Sequence, residues 1–297
     1  MLAGLLAAAV GLAGVWQSGP PLPTSRTEVA GAALRGDVVV VGGYVADGTS
    51  VTDVDAYSRA TARWRSLPDL PVPVNHAAAT SYRGRLYVVG GYGAGGARRS
   101  AYVLAGGRWQ ALPPLPAPRA AAGAAAVAGR LFVVGGVVRA GQLARDAFAL
   151  SLSRRRWRRI PAPTPREHLA VTALAGRVYA VGGRTAGIDT NLDLLESYRP
   201  GARRWRRLEP VPEPRGGTGA AVGCGRLISV GGEAPAGTIA GVYAFSPSTG
   251  RWARLPDLPT PRHGLAVVGV GRRIFAVAGG PQPGLRVSDA NEFLDVC

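Results

Sequence analysis

The sequence predicts an all-β chain folded as a six-bladed propeller with four-stranded antiparallel blades. Two independent markers recur along the chain with one period. Six glycine doublets lie 45 to 49 residues apart, at Gly42-Gly43, Gly90-Gly91, Gly135-Gly136, Gly182-Gly183, Gly231-Gly232 and Gly279-Gly280. Six tryptophans keep almost the same spacing, at Trp16, Trp64, Trp109, Trp157, Trp205 and Trp252. Because periods of about 40 to 50 residues are typical of propeller blades, six repeats indicate six blades.

Each repeat contains the signals of four strands. An apolar run of strand length ends at every doublet, as in residues 38–41, and suits a strand packed between two neighbouring blades. A glycine-centred turn precedes each run. The small residues before that turn, such as 120–128, are therefore expected to form the innermost strand of a hairpin rather than a helix. A third strand follows the doublet, and the tryptophan begins the fourth.

The two chain ends are expected to share the last blade. After the sixth doublet the sequence has room for a third strand, near residues 287–296, but no tryptophan follows it. Trp16, in contrast, has no three strands before it. The N-terminal strand around residues 14–17 should therefore complete the last blade, which removes an open sheet edge.

Residues 1–13 form an apolar segment before this strand. Its length is that of the hydrophobic region of a secretory signal, and Ala13 offers a small residue for cleavage, although no basic residue precedes it. We expect an exported protein (periplasmic, extracellular or membrane-tethered) with residues 14–297 as one domain. An uncleaved anchor, or a start placed upstream of the first strand, are the alternatives. No later apolar run reaches 18 residues, so no integral membrane body is expected.

The net charge and the two cysteines leave several classes of function open. The formal net charge is +17, and all 35 basic residues are arginines. A basic surface attracts acidic ligands, but a coding bias toward arginine explains the same composition. No groove-reading or base-stacking motif predicts specific nucleic-acid binding. Cys224 and Cys297 lack metal-ligand spacing, and we expect two unrelated thiols in preference to one disulfide.

The doublets, turns and tryptophans together resemble the kelch repeat, and the resemblance runs from about Trp16 to the C-terminus. Kelch adaptors of ubiquitin ligases bind acidic peptides on the face formed by the loops between strands four and one and between strands two and three. The resemblance therefore implies a protein, acidic-peptide or glycan ligand on this face. We expect the chain to be a monomer and to need no cofactor.

Two sets of residues are expected to meet on that face, which we call the funnel. Arginines precede the first strands of five blades, at Arg26, Arg119, Arg166, Arg215 and Arg262. A second set, Tyr44, Tyr92, Arg184 and Glu233, follows doublets. We expect an arginine-lined funnel that clamps carboxylate or phosphate groups in bidentate fashion. The alternative is that these arginines bond loop carbonyls.

The three histidines form a second pattern. Counting back eight residues from the turn glycines places His76, His168 and His263 in one register, in alternate blades. We expect them to wall the pocket rather than bind a metal, because a propeller channel is wider than a metal site with bonds of about 2 Å allows.

Arginine clusters flank two of the tryptophans on the outer strand, at Arg154, Arg155, Arg156, Arg158 and Arg159 and at Arg203, Arg204, Arg206 and Arg207. Charge on an edge strand keeps it soluble. The alternative is a basic patch for an acidic polymer or a membrane surface.

An enzymatic alternative remains. No nucleophile elbow, P-loop or zinc-protease motif occurs, and the residues of the galactose oxidase copper site are missing. Exported kelch propellers that act as sialic-acid mutarotases use Arg and Glu on an acidic sugar. By that resemblance Glu28, Glu167 and Glu233 are the candidates for a sugar mutarotase or epimerase. We favour a binding module.

Overall fold

The computed structural model describes residues 14–297, and the segment predicted to direct export lies outside the described residues. Over that range the chain forms six four-stranded antiparallel sheets, which confirms the predicted propeller. The first strands of successive blades contact one another in a closed ring around the axis, and the fourth strands lie at the rim.

The strands follow the repeat closely. Those of the first three blades are Ala30–Leu34, Asp37–Val41, Val54–Ser58 and Arg63–Ser66; Ala78–Tyr82, Arg85–Val89, Ala101–Ala105 and Arg108–Ala111; Gly123–Val127, Arg130–Val134, Ala147–Ser151 and Arg156–Ile160. Those of the last three are Ala170–Leu174, Arg177–Val181, Leu195–Tyr198 and Arg206–Arg207; Gly219–Gly223, Arg226–Val230, Val242–Ser246 and Arg251–Leu255; Ala266–Val270, Arg273–Val277, Asn291–Asp295 and Gln17–Ser18.

The loops between the second and third strands carry small elements of their own. Three of them are short hairpins, Tyr92–Gly93 with Gly96–Ala97, Val137–Arg139 with Gln142–Leu143, and Glu233–Ala234 with Gly237–Thr238. The loop of the fourth blade contains the 3-10 helix Ile188–Thr190. Among residues 14–297, none of the helices has the length and apolar character needed to cross a membrane.

The last blade closes as predicted. Gln17 and Ser18 pair antiparallel with Phe293 and Glu292 of the third strand, and the Gly14 N–H donates to the Asp295 carbonyl at 3.0 Å. The strand lies slightly later in the chain than expected. Its tryptophan, Trp16, is buried in the core between the last two blades.

The core lies between the blades, and this explains the apolar runs. All four residues of 38–41 are fully buried, but their side chains alternate between two hydrophobic clusters. One cluster adjoins the sixth blade and the other adjoins the second. Both faces of the sheet are therefore apolar, because a neighbouring blade covers each one.

The tryptophans repeat one contact at the outer side of these clusters. The indole N–H of each donates to a backbone carbonyl of the preceding blade's Pro-rich loop. The six acceptors are Pro256 for Trp16, Pro20 for Trp64, Pro68 for Trp109, Pro113 for Trp157, Pro161 for Trp205 and Glu209 for Trp252. Each tryptophan therefore fastens one blade to the next with both apolar area and a hydrogen bond.

A disulfide joins Cys224 to Cys297, with Cα atoms 6.2 Å apart. The expectation of unrelated thiols is wrong. Cys224 lies in the first turn of the fifth blade, and the chain end runs beside it from the third strand of the sixth blade. The 73-residue separation hides this proximity in the sequence.

Candidate functional site

A ring of backbone hydrogen bonds surrounds the axis on the funnel side, and we call it the collar. It is built from one residue of each blade, all in the left-handed conformation with φ between 48° and 66°: Glu28, His76, Ala121, His168, Gly217 and Gly264. From His76 to Gly264, each collar N–H donates to the carbonyl of the preceding blade's collar residue at 2.9–3.0 Å. The Val29 N–H closes the ring on the Gly264 carbonyl at 3.1 Å. The collar therefore holds the Cα atoms from which these side chains extend toward the axis.

The predicted register of the histidines is wrong for His263. The turn of the sixth blade places its glycine first, as Gly271-Arg272, whereas the other five turns place it second. Counting back eight residues from Gly271 therefore gives residue 263, one position before the collar residue. Gly264 holds the collar position, and His263 holds the position that Glu167 has in the fourth blade.

The five arginines predicted to line the funnel lie inside the blades, and all are 0% exposed. Each meets a carboxylate, in the pairs Arg26–Asp55, Arg119–Asp146, Arg166–Glu196, Arg215–Glu213 and Arg262–Glu292. Each guanidinium also donates to backbone carbonyls, as Arg262 does to Ala278 at 2.8 Å and to Ala276 at 3.0 Å. In place of an arginine-lined funnel, the structure has a set of internal ion pairs whose arginines have no exposed surface to offer a ligand.

A signal for this burial was present in the sequence. In four of the five pairs the acidic residue follows its arginine by 27 to 30 residues. That distance carries the chain from the start of the first strand to the third strand of the same blade. An arginine that recurs in several repeats with an acidic residue at nearly the same distance after it indicates an internal ion pair.

The funnel itself is lined by the collar side chains and the residues after the doublets. The Glu28 carboxylate lies at its centre, with Oε2 3.2 Å from His76 Nε2 and Oε1 3.2 Å from His263 Nδ1. His76 makes edge-on ring contacts with Tyr44, Tyr92 and His168, at centroid distances of 5.9, 5.4 and 5.0 Å. The structure thus brings together these five predicted residues around Glu28.

Arg184 and Glu233, the other predicted funnel residues, are paired with each other. Arg184 Nη1 donates to Glu233 Oε1 at 2.7 Å, and its Nε donates to Glu167 Oε1 at 3.1 Å. Arg184 is 9% exposed, so its charge is neutralised by carboxylates inside the protein. Three carboxylates and one guanidinium leave the funnel net negative when its histidines are neutral, contrary to the predicted basic character.

Burial and neighbouring charges separate the histidines. Burial lowers the pKa of His76 to about 4, so its imidazole is neutral at pH 7. Burial opposes the charge of His263 as well, but a hydrogen bond to Glu28 and the charges of Glu28 and Glu233 raise its pKa above the ordinary value. Burial would raise the pKa of Glu28. His76 becomes protonated in the acid range where a carboxyl titrates, and its charge there, together with the contact with His263, holds the pKa of Glu28 below its usual range.

A basic cleft lies on the opposite face, between the third and fourth blades. We call it the arginine cleft. It has a volume of about 620 Å³, and its lining includes five exposed arginines, Arg130, Arg154, Arg156, Arg158 and Arg159. The half-buried Ile160 and Pro161 contribute its apolar lining, and none of its lining residues carries a carboxylate. Four arginines of the first predicted rim cluster thus line a concave surface. The second cluster, Arg203, Arg204, Arg206 and Arg207, is exposed on the next blade.

Comparison with known proteins agrees with this architecture. The family model described as KLHDC2/KLHL20/DRC7 Kelch-repeats domain matches residues 107–280, which is more than half of the chain. The model described as Kelch motif matches residues 25–71, the first blade with its flanking loops. No curated protein matches the sequence.

Proposed function

Because the chain belongs to the kelch-repeat family, whose propellers generally bind proteins, we propose that it is a binding module that captures an acidic segment of a partner protein in the arginine cleft. The observation that carries this proposal is the concentration of exposed guanidinium groups around one concave surface. A guanidinium can accept a carboxylate in bidentate fashion, and several together neutralise an acidic segment.

The charges of the cleft are available to a ligand. Within residues 14–297, Arg156 and Arg158 form no salt bridge, whereas Arg159 is paired with Asp146 at 2.8 Å. The half-buried Ile160 and Pro161 of the lining would cover part of a bound apolar side chain, which adds to the electrostatic attraction. A partner segment that carries two or more carboxylates next to an apolar residue fits this lining.

The funnel supports an acidic ligand less well. Its glutamates are engaged, since Arg184 bridges two of them and histidines contact the third. The mutarotase alternative requires arginines beside Glu28, Glu167 and Glu233, but the ring that was expected to supply them is buried. Arg184 is the one guanidinium found to contact these glutamates among residues 14–297. A binding module is therefore favoured over catalysis on an acidic sugar.

We extend the proposal to an exported setting, as residues 1–13 predict. The disulfide between Cys224 and Cys297 favours it, because disulfides persist in oxidising compartments.

Fluorescence anisotropy with labelled peptides tests the cleft. An acidic peptide of about ten residues containing one aromatic residue should bind at low salt, and its neutral Gln-for-Glu counterpart should bind at least tenfold more weakly. The double variant Arg156→Gln/Arg158→Gln should also lose at least tenfold. The matched control, Arg251→Gln/Arg254→Gln, removes the same charge from the outer strand of the fifth blade and should stay within about threefold.

An equal loss in both double variants would show that only the overall charge attracts the peptide, and the cleft would be excluded. Absence of binding by the wild type at low salt would overturn the proposal outright. Folding of every variant is checked by circular dichroism, which the exposed positions of all four arginines should leave unchanged.

A further inference from the structure

Two imidazoles and a carboxylate converge on the propeller axis. One nitrogen of His76, one nitrogen of His168 and one oxygen of Glu28 all lie within 4.8 Å of one another. In a tetrahedral site with bonds of about 2.0–2.1 Å, ligand atoms are about 3.3 Å apart. Glu28 Oε2 and His76 Nε2 already meet that spacing at 3.2 Å, and a His168 nitrogen lies within 4.8 Å of both ligands.

We propose that Glu28, His76 and His168 form a binding site for a divalent transition-metal ion. This departs from the sequence-based expectation, which considered the three histidines and rejected a metal. Since His263 is shifted one residue off the collar, the third ligand is the carboxylate of Glu28 in the first blade. The site is independent of the arginine cleft, which lies on the other face, and goes beyond the proposed function.

The collar holds these three side chains in place. All three arise from left-handed collar residues, and the His76 N–H donates to the Glu28 carbonyl at 3.0 Å. The other three collar positions are Ala121, Gly217 and Gly264, whose side chains are small or absent. They leave a cavity of about 100 Å³ on the axis. That volume holds an ion with one or two waters, each of which occupies about 30 Å³.

A polar neighbour lies beside each of the three side chains. His76 Nδ1 lies 2.5 Å from Asn75 Oδ1, and His168 Nδ1 lies 3.1 Å from Glu167 Oε1. Glu28 Oε1, the oxygen that faces away from His76, contacts His263 Nδ1. Metal-ligating imidazoles are typically oriented by an acceptor on their other nitrogen, and Asn75 supplies that acceptor for His76.

The donor set selects the class of ion. Two imidazole nitrogens and one carboxylate oxygen suit Zn²⁺, Fe²⁺, Mn²⁺ or Co²⁺, whereas Ca²⁺ and Mg²⁺ prefer all-oxygen shells. One ligand carboxylate leaves a bound ion with one positive charge, and Glu167 and Glu233 nearby compensate for it. Because the protein supplies three ligands, at least one position stays open toward the funnel for water or a donor atom from outside.

Co²⁺ titration of the tag-free full chain, stripped with a chelator, tests the site. Binding should produce visible d–d absorption, and Zn²⁺ should displace it with a dissociation constant in the micromolar range or tighter. Glu28→Gln, which preserves shape, and His168→Ala should each weaken Zn²⁺ binding at least a hundredfold. His263→Gln, which alters only the residue behind Glu28, should weaken it about tenfold.

Two results would overturn the proposal. One is a wild-type chain that binds neither Co²⁺ nor Zn²⁺ below about 1 mM while remaining folded by circular dichroism. The other is loss of binding in His263→Gln with retention in Glu28→Gln, which would identify the three histidines as the ligands. Asp257→Asn, which removes an exposed carboxylate paired with Arg254 just after the outer strand of the fifth blade, serves as the control and should bind as the wild type does.

Discussion

Replacing Arg166 by Met should destabilise the propeller without weakening its affinity for an acidic peptide. The Arg166 side chain is 0% exposed and pairs with Glu196, whose side chain is 6% exposed. It also donates to the carbonyls of Gly182 at 2.7 Å, Thr164 at 2.8 Å and Ala180 at 3.2 Å. Met fills part of the volume but supplies none of these donors, so Glu196 would be left as a buried, uncompensated charge.

Breaking one partner of a buried ion pair costs about 3–5 kcal/mol. Two N–H···O contacts from Thr164 to Glu196, at 3.2–3.3 Å, would remain and keep the cost from rising further. Unfolding entropies of about 2.1 cal/mol/K per residue give about 0.6 kcal/mol/K for a chain of 297 residues. The expected loss therefore lowers the melting temperature by about 5–8 °C.

Differential scanning calorimetry of the wild type, Arg166→Met and the double variant Arg166→Met/Glu196→Met measures this loss. The double variant should recover at least half of it, because no charge is then left unpaired. Arg254→Met, at an exposed ion pair with Asp257, is the matched control and should melt with the wild type. If Arg166→Met shifted the midpoint by less than 2 °C yet abolished acidic-peptide binding, the structural role of these arginines would be refuted.

Three further perturbations test the ring and its closure. Cys224→Ser should lower the free energy of unfolding by about 4 kcal/mol, the loop-closure entropy for a separation of 73 residues. In calorimetry, reductant should lower the melting temperature of the wild type and leave that of the variant unchanged. Gly279→Ala should destabilise more than Gly225→Ala in urea denaturation. Both glycines have positive φ, but a Cβ at Gly279 would lie 2.6 Å from the His263 carbonyl whereas Gly225 has open space, and equal losses would contradict a packing clash. Trp16→Ala should cost about 3–5 kcal/mol and expose the closing strand to limited proteolysis, and unchanged protease resistance would argue against that strand's part in holding the ring.

The sequence could predict the blades because each one makes the same contacts. Val39 and Val40 face different clusters, so both must be apolar, and this demand recurs in every repeat. The ring closure could also be predicted, since the last blade lacks a tryptophan and the first tryptophan lacks a blade. These properties depend on neighbours within one repeat or the next, where spacing along the chain translates directly into spacing in the fold.

The site could be predicted only in part. The count from turn glycines found His76 and His168, but it failed at His263 because one turn places its glycine differently. Arginine type and position indicated a ligand clamp, whereas the packed blade pairs these guanidinium groups with Asp55 and Glu196, partners that the spacing of 27 to 30 residues could have suggested. The type of a residue alone does not reveal whether its charge is paired inside the protein or exposed to a ligand.

The sequence by itself thus determined the number of blades, the strands and the way the ring closes, because periodic patterns encode contacts that repeat. Only the tertiary structure decided what meets across the axis and between the chain ends. Glu28 meets residues of the second, fourth and sixth blades across the axis. Cys224 meets Cys297 at a separation of 73 residues, which matches no repeat. Those meetings depend on the curvature that closes six blades into a ring, which no single repeat contains.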